Sequence, residues 1–210
     1  MRMRKKKHGN ERIAACEEYL LKSREEIEAL RNEGRMPLRL EIGSGKGDFS
    51  VGFSSAYKDK LFIAMEKISD VAVCLLEKAK KAECDNLRVI IGDAKTLTEL
   101  FGKGDVCELY LNFSDPWPKA GHAKRRLTHR NFLELYKQVL TEDGVIIFKT
   151  DNRGLFDFSL EEFEAAGFRL EDITYDLHNS EFNEGNIQTE YERNFSAKGF
   201  TINRVKAYLK

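Results

Sequence analysis

Five short apolar segments that alternate with helical patterns constrain the fold of this chain more than any other feature. They are LRLEIG (38–43), LFIAME (61–66), LRVIIGD (87–93), VCELYLNF (106–113) and GVIIFKTD (144–151). Apolar runs of this length are typical of strands buried on both faces of a parallel sheet, and parallel strands need crossover helices. The pattern therefore predicts an α/β doubly wound domain. After a helical pattern at 155–167, RLEDITYDL and FTINRVKAYL alternate and predict an antiparallel hairpin, which completes a mostly parallel seven-stranded sheet.

Length and composition bound the class of protein. A chain of 210 residues with 41% hydrophobic and 33% charged residues is typical of one soluble globular domain. No apolar run approaches the roughly 18 residues of a membrane span, and no signal peptide is evident, so we expect a cytoplasmic protein without membrane contact. The four cysteines form no CxxC pair, which argues against a disulfide framework and against a metal site. The oligomeric state, monomer or homodimer, remains open.

Charge is unevenly distributed although the formal net charge is zero. Residues 2–7 hold five cations, residues 119–130 hold five cations and no acid, and residues 157–192 hold eleven acids against one base. Such segregation creates local potentials that the net charge conceals. The basic tail and a helical pattern at 10–33, which predicts one or two helices, form an N-terminal extension (1–36) to the main domain (37–210). The tail is either solvated and disordered or in contact with RNA.

Acidic residues and a glycine loop mark the carboxyl ends of the predicted strands, where a doubly wound sheet binds its ligand. In chain order these ends carry Glu41-Ile-Gly43-Ser-Gly45-Lys-Gly47, Glu66, Asp93, Asp115 and Asp151. A P-loop would require serine or threonine after Lys46, and a dinucleotide fingerprint would require glycine in place of Asp48. Neither pattern fits. What remains is a glycine loop that lets the backbone approach a ligand beside a carboxylate.

These acids favour a cationic ligand over a pyrophosphate. Glu66 lies 23 residues after Gly43, where an acid can accept hydrogen bonds from both hydroxyls of a ribose, and Asp93 can reach an adenine amino group. Glu41 brings negative charge to the glycine loop. A ribose, an adenine, a sulfonium and an ammonium group together describe S-adenosylmethionine, which we expect as the cofactor.

The segment after the fourth strand combines stiffness, an aromatic ring and cations. It runs FSDPWPKAGHAKRR (113–126), and its two prolines fix their own φ angles and favour extended conformations in the residues before them. Such stiffness suits the Asp115 carboxylate, which must hold one geometry. Trp117 either offers a flat face to a nucleobase or is part of the core, and the cations that follow suit phosphates.

With this segment the sequence resembles the bacterial tRNA (guanine-N7)-methyltransferase family (TrmB), which are class I methyltransferases with a Rossmann-like fold. The family signature [F/L]xDPWxKxxHxKRR matches residues 113–126, and EIGSGKG (41–47), KTDNRGLF (149–156) and TEYE (189–192) also match. The resemblance covers most of the chain from about residue 38, whereas the helical pattern at 10–33 matches no diagnostic motif.

The resemblance implies an activity and a site. The family transfers the methyl group of S-adenosylmethionine to N7 of guanine at position 46 in the tRNA variable loop, so tRNA is the implied partner. It implies that Asp115 is catalytic and that the cofactor contacts Glu41, Gly43, Gly45, Gly47, Glu66, Asp93 and Asp115. Substrate contacts are implied for Lys119, Asp151, Thr189 and Glu192, and RNA contacts for Gly121, His122, Ala123, Lys124, Arg125 and Arg126. Without the resemblance, Thr189 and Glu192 would predict a capping box on a short helix.

Two other functions remain open. Methyltransferases that act on exocyclic amines of nucleic acids also place an acid or asparagine before prolines after their fourth strand. Their two prolines are adjacent, however, unlike those of Asp115-Pro-Trp117-Pro. A noncatalytic RNA-binding protein with this fold is the second alternative, and the full set of acids argues against it.

Overall fold

A computed structural model describes residues 7–34 and 37–209, and its strands form one sheet between two layers of helices. The strands are β1 (Leu38–Ile42), β2 (Phe62–Glu66), β3 (Leu87–Ile91), β4 (Val106–Asn112), β5 (Leu140–Thr150), β6 (Arg169–Thr174) and β7 (Asn203–Tyr208). The helices are α1 (Gly9–Ala14), α2 (Arg24–Asn32), α3 (Asp48–Ala56), α4 (Ser69–Lys81), α5 (Leu97–Leu100), α6 (Arg130–Lys137), α7 (Arg153–Ala165) and α8 (Glu190–Ser196). The basic tail before Lys7 and the predicted domain border at residue 36 lie outside the described residues.

The sheet has the order β3-β2-β1-β4-β5-β7-β6, and β7 runs antiparallel to both of its neighbours. The predicted seven-stranded, mostly parallel sheet with a terminal antiparallel hairpin is confirmed. β5 begins at Leu140, earlier than the apolar run at 144 predicts, because Leu140 already pairs with Val106 before the register shifts. The strand order reverses between β1 and β4, which is where a ligand crevice is expected.

Two hydrophobic layers cover the two faces of the sheet. Side chains from α2, α5, α6 and α7 pack on one face, and side chains from α3 and α4 pack on the other. Within α4, Leu75 and Leu76 are fully buried, and burying a side chain of this size contributes about 1.5–3 kcal/mol. Both faces of the central strands are thus covered, which explains their continuous apolar sequence.

The N-terminal extension is part of both layers. Cys16 and Tyr19 are buried with the α3 and α4 layer, while Ile27 and Leu30 of α2 are buried with the opposite layer. Between them Leu20 forms a parallel bridge to Val89 of the edge strand β3. The extension therefore wraps round the β3 edge of the sheet and protects it from pairing with another chain. None of the helices among the described residues is long and apolar enough to span a membrane.

Candidate functional site

The carboxyl ends of the strands open into two adjoining cavities at the point where the strand order reverses. The larger, of about 640 Å³, is lined by the ends of β1 to β3 and by the segment after β4, and we call it the strand-end cavity. The smaller, of about 350 Å³, lies between the glycine loop and the N-terminus of α8, and we call it the loop cavity. Gly43 and Phe113 line both. Of the predicted site residues, the strand-end cavity takes Gly43, Glu66, Asp93, Asp115, Lys124 and Arg125, and the loop cavity takes Glu41, Gly43, Gly45, Gly47 and Thr189.

The three predicted glycines, Gly43, Gly45 and Gly47, differ in what surrounds them. All have positive φ, of 76°, 58° and 81° for Gly43, Gly45 and Gly47. A Cβ atom at Gly47 would lie 2.2 Å from Cδ1 of Leu75, so Gly47 is needed for the loop to pack on α4. A Cβ at Gly45 would meet nothing within 4 Å. The backbone at Gly45 therefore faces open space, where a ligand can approach it.

Glu41 is a buried carboxylate at the end of β1. It is 1% exposed and accepts hydrogen bonds from Ser50 Oγ at 2.5 Å and Asn112 Nδ2 at 2.8 Å. Burial raises the pKa of Glu41 to about 6, against the opposing effect of these hydrogen bonds and of the nearby Lys149 charge. Near neutral pH the group is therefore an anion within a largely desolvated wall of the loop cavity.

Glu66 and Asp93 lie at the ends of β2 and β3. The two oxygens of Glu66 accept hydrogen bonds from the backbone N–H groups of Gly45 (2.9 Å) and Ile68 (2.8 Å), which fixes the carboxylate at the cavity wall. Asp93 accepts from Lys67 Nζ at 2.7 Å and from the Lys95 N–H at 3.1 Å. Burial alone would raise the pKa of Asp93, but these two lysine contacts outweigh it and hold the pKa below its ordinary value.

The segment after β4 is held in a strained conformation. Phe113 and Trp117 have φ angles of 54° and 41°, each costing about 1–3 kcal/mol for residues with bulky side chains. Trp117 thus departs from the extended conformation that the following proline predicts. Arg126 compensates, because its Nε and Nη2 donate to the carbonyl oxygens of Pro116 and Trp117, each at 3.0 Å. These contacts explain how the turn keeps Asp115 at the rim of the strand-end cavity.

Trp117 is neither fully buried nor free. Its half-buried ring lies under the guanidinium of Arg125, 4.9 Å from the ring centroid, and meets the edge of His122. It lines the strand-end cavity together with Lys124 and Arg125. Residues Ala120–Arg125 form a short 3₁₀ helix that presents Lys124 and Arg125 as exposed cations.

The residues with implied substrate roles lie in different environments. Asp151 accepts a hydrogen bond from the Tyr191 hydroxyl at 3.2 Å. Thr189 is the N-cap of α8 and accepts from the Glu192 N–H at 2.8 Å, so the expected cap is present. Lys119 is exposed and lines neither cavity. Asp115 is exposed and has no hydrogen bond or ion pair within the described part of the chain. Their roles stay predictions.

Glu192 is completely buried, and its carboxylate is turned away from a capping-box geometry. Its Oε2 pairs with Lys149 Nζ at 2.7 Å, and its Oε1 accepts from Asn186 Nδ2 (2.8 Å) and contacts His178 Nε2 (2.9 Å). The sequence interpretation missed Lys149. Its signal in the sequence is a lysine within the apolar run GVIIFKT of β5, where every residue from Gly144 to Thr150 is buried.

Three buried polar groups at this edge of the sheet have no hydrogen-bond partner among the described residues. Ser44 Oγ, Asn112 Oδ1 and Ser114 Oγ are buried side-chain oxygens without a hydrogen bond, and buried polar groups of this kind ordinarily find a partner in a ligand or water. They lie on the glycine loop and at the end of β4, beside the acids described above. Within residues 7–34 and 37–209, no group of three or more histidine, cysteine, aspartate or glutamate side chains is arranged to hold a metal ion.

Comparisons with known proteins show the family of this chain. A family model described as putative methyltransferase matches residues 35–205. A curated tRNA (guanine-N(7)-)-methyltransferase of Listeria monocytogenes serotype 4b (strain F2365) is 45% identical over 210 residues, which cover 99% of this chain and 98% of the relative. A curated tRNA (guanine-N(7)-)-methyltransferase of Geobacillus sp. (strain WCH70) is 46% identical over 209 residues, which cover 98% of this chain and 94% of the relative.

Solved structures share the fold at low identity. An antibiotic related methyltransferase superposes with a TM-score of 0.65 at 15% identity, covering 90% of this chain and 94% of that chain. The 16S rRNA methyltransferase KamB superposes with a TM-score of 0.65 at 15% identity, covering 87% of this chain and 93% of that chain. The likeness confirms the expected Rossmann-like class I methyltransferase fold.

Proposed function

We propose that this chain, which belongs to the family of the curated tRNA (guanine-N(7)-)-methyltransferases, transfers the methyl group of S-adenosylmethionine to N7 of a guanine in tRNA. The observation that carries the proposal is the juxtaposition of two surfaces at the strand ends. One is a wall of carboxylates, and the other is the cationic 3₁₀ helix Ala120–Arg125 across the strand-end cavity. A cationic cofactor suits the first surface, and a polyanionic substrate suits the second.

The residues present fit S-adenosylmethionine. Glu66 at the end of β2 would accept from the ribose hydroxyls, Asp93 at the end of β3 would accept from the adenine amino group, and Glu41 would attract the cationic end of the cofactor. Gly43 and Gly45 leave the backbone open to it. The orphaned oxygens of the glycine loop and of the β4 end offer hydrogen-bond acceptors to the ammonium group.

When bound, the cofactor supplies an electrophilic methyl group on a sulfonium. Guanine N7 has a free lone pair and no proton, so attack on that methyl needs no general base, and a carbon–nitrogen bond forms as the carbon–sulfur bond breaks. The purine gains the positive charge that the sulfonium loses. The protein's task is to align N7 with the methyl and to stabilise this charge. We assign that task to the Asp115 carboxylate, with Asp151 and Thr189 toward the base and Lys119 toward the backbone.

The target in the proposal is guanine 46 of the variable loop, and a cytoplasmic location follows from the substrate. Nucleoside mass spectrometry of tRNA incubated with the protein and labelled cofactor tests it. We expect label in 7-methylguanosine, lost when position 46 is changed. Label in N6-methyladenosine would favour the amine-directed alternative, and absence of cofactor binding in calorimetry would favour the noncatalytic one.

The burial of Glu41 predicts that cofactor affinity depends on pH. Because the pKa of Glu41 is raised to about 6, the carboxylate is ionised above that pH and gains a proton below it. A neutral carboxyl no longer attracts a cation, so affinity for S-adenosylmethionine should fall roughly fourfold between pH 7.5 and 5.5. Isothermal titration calorimetry at both pH values measures this. Glu41→Gln should bind more weakly and with little pH dependence, whereas affinity that rises on acidification would contradict the assignment.

The exposed cations should control tRNA affinity and its salt dependence. In a Lys124→Gln/Arg125→Gln variant we expect weaker tRNA binding and a slope of log K against log salt that is smaller by about 1.5, which corresponds to two lost phosphate contacts. Filter binding over a salt series measures the slope. Arg126→Gln is the matched control, because Arg126 holds loop carbonyls and its loss should reduce turnover with little change in slope. Equal slopes for both variants would contradict this division.

A further inference from the structure

Four separate parts of the chain converge on one buried lysine. Lys149 lies at the carboxyl end of β5 and is 2% exposed. Its three ammonium hydrogens have three acceptors: Glu192 Oε2 at 2.7 Å, Asn186 Oδ1 at 3.0 Å and the Ile187 carbonyl at 3.1 Å. His178, from the 3₁₀ turn Leu177–Asn179, completes the set through Glu192. β5, this turn, residues 186–187 and α8 are thus tied together at a single ammonium group.

We propose that Lys149 is a positioning residue for methyl transfer: it holds Glu192, and through it the N-terminus of α8, so that Thr189 and Tyr191 form the wall against which the guanine binds. The inference rests on the proposed function and adds which residues position the guanine-binding wall of that site. In this proposal Glu192 does not contact the substrate, because its carboxylate is already bound by Lys149, Asn186 and His178. It affects the substrate by fixing the position of α8.

The contacts of α8 show how the position of Glu192 reaches the cavity. The Glu192 N–H donates to the Thr189 hydroxyl, so fixing Glu192 also orients Thr189. The neighbouring Tyr191 is 42% exposed, and the centroid of its ring lies 5.1 Å from that of Phe113. Its hydroxyl donates a hydrogen bond to the Asp151 carboxylate. Thr189, Tyr191 and Phe113 line the loop cavity. α8 has only 7 residues, so its own backbone hydrogen bonds are too few to hold it there.

A buried ion pair is weak evidence for stability, because desolvation offsets the attraction, but it fixes geometry when every polar atom is satisfied. The Lys149–Glu192 pair is buried, and each of its polar atoms has a hydrogen-bond partner. Lys149 also lies between the rings of Phe49 and Phe113, 5.3 and 5.9 Å from their centroids, and its backbone carbonyl accepts from the Phe113 N–H at 2.9 Å. The same residue therefore contacts the start of the segment that carries Asp115.

The test compares Glu192→Gln, Lys149→Met and a control, Arg31→Met. The control breaks an ion pair to buried Asp105, next to the amino end of β4 and far from the cavities. We expect amide hydrogen exchange of residues 189–196 to accelerate in the first two variants, and kcat/KM for tRNA to fall roughly 10- to 100-fold, as for a misplaced substrate wall. Affinity for S-adenosylhomocysteine should stay within about threefold. Arg31→Met should lower thermal stability while leaving exchange of α8 and kcat/KM unchanged.

Three results would overturn the proposal. Lost activity with unchanged exchange of α8 would assign Glu192 a direct contact with the base. If affinity for S-adenosylhomocysteine fell as far as kcat/KM, the loss of activity would come from the cofactor site at Glu41. If Arg31→Met showed the same faster exchange and lower kcat/KM, the cause would be general destabilisation. Should Lys149→Met fail to fold, Glu192→Gln alone decides. A wild-type protein that forms no 7-methylguanosine would refute the proposed function, whereas the exchange measurement needs no turnover and still tests the role of Lys149.

Discussion

Replacing Asp115 with alanine should lower kcat for tRNA methylation roughly 10²- to 10³-fold, because the variant loses preorganised negative charge beside a purine that becomes cationic in the transition state. Affinity for tRNA should change by less than about threefold, since that charge matters mainly while the methyl moves. The structure supports this separation: Asp115 lies at the rim of the strand-end cavity without an ion pair to any described residue, while exposed cations lie further along the same segment. Single-turnover assays with labelled cofactor, combined with filter binding, measure both quantities.

Asp115→Asn provides the control, because asparagine keeps the shape of the side chain and its ability to form the turn but removes the charge. It should lose most of the activity if the role is electrostatic. The single-turnover rate of the wild type should be level between pH 7 and 9, because guanine N7 carries no proton to remove. A rate that increases tenfold per pH unit in this range, or tRNA affinity that falls in Asp115→Ala as far as in the Lys124 and Arg125 variant, would contradict the assignment.

The parts of the fold that the sequence predicts well are those set by local patterns. The segment LFIAM (61–65) is apolar throughout because both of its faces are buried, and the position of Glu66 directly after it, at the end of β2, predicts that this acid lines the crevice. The same reasoning identified Asp93, which lines the strand-end cavity. Spacing along the chain is enough for these residues because parallel strands bring their carboxyl ends to one edge.

Long-range contacts of polar side chains were not predictable in this way. Glu192 lies 43 residues from Lys149 in sequence, and the pairing depends on how residues 177–192 fold over the end of β5. The sequence pattern does not distinguish Arg126 from the neighbouring cations, whereas in the structure its guanidinium donates to two backbone carbonyls. The N-terminal helices, which matched no motif, pack into both layers because Ile27 and Cys16 point to opposite sides of the β3 edge.

Lys149→Met should reduce the free energy of unfolding by about 3–5 kcal/mol at pH 7.5, because it leaves the Glu192 carboxylate buried without its counter-ion. Glu192 is completely buried, so water cannot replace the lost cation without opening the structure. Urea unfolding followed by circular dichroism measures the change. The Lys149→Met/Glu192→Gln double variant should recover most of the loss, since no buried charge remains unpaired. A double variant as unstable as the single one would show that packing, and not the charge, is responsible.

The pH dependence of this loss has a definite sign. In the wild type, burial would raise the pKa of Glu192, but the charge of Lys149 and the hydrogen bonds from Lys149, Asn186 and His178 outweigh it and hold the pKa below its ordinary 4.5. The contribution of Glu192 is therefore present above pH 4.5 and is lost as the pH falls through the folded-state pKa. In Lys149→Met burial prevails, the pKa rises, and the folded variant takes up a proton that the unfolded chain does not hold. The difference in unfolding free energy between wild type and variant should consequently narrow from pH 8 to pH 5, whereas a difference that stays constant would show that Glu192 takes up no proton in the folded variant over this range and would contradict the raised pKa.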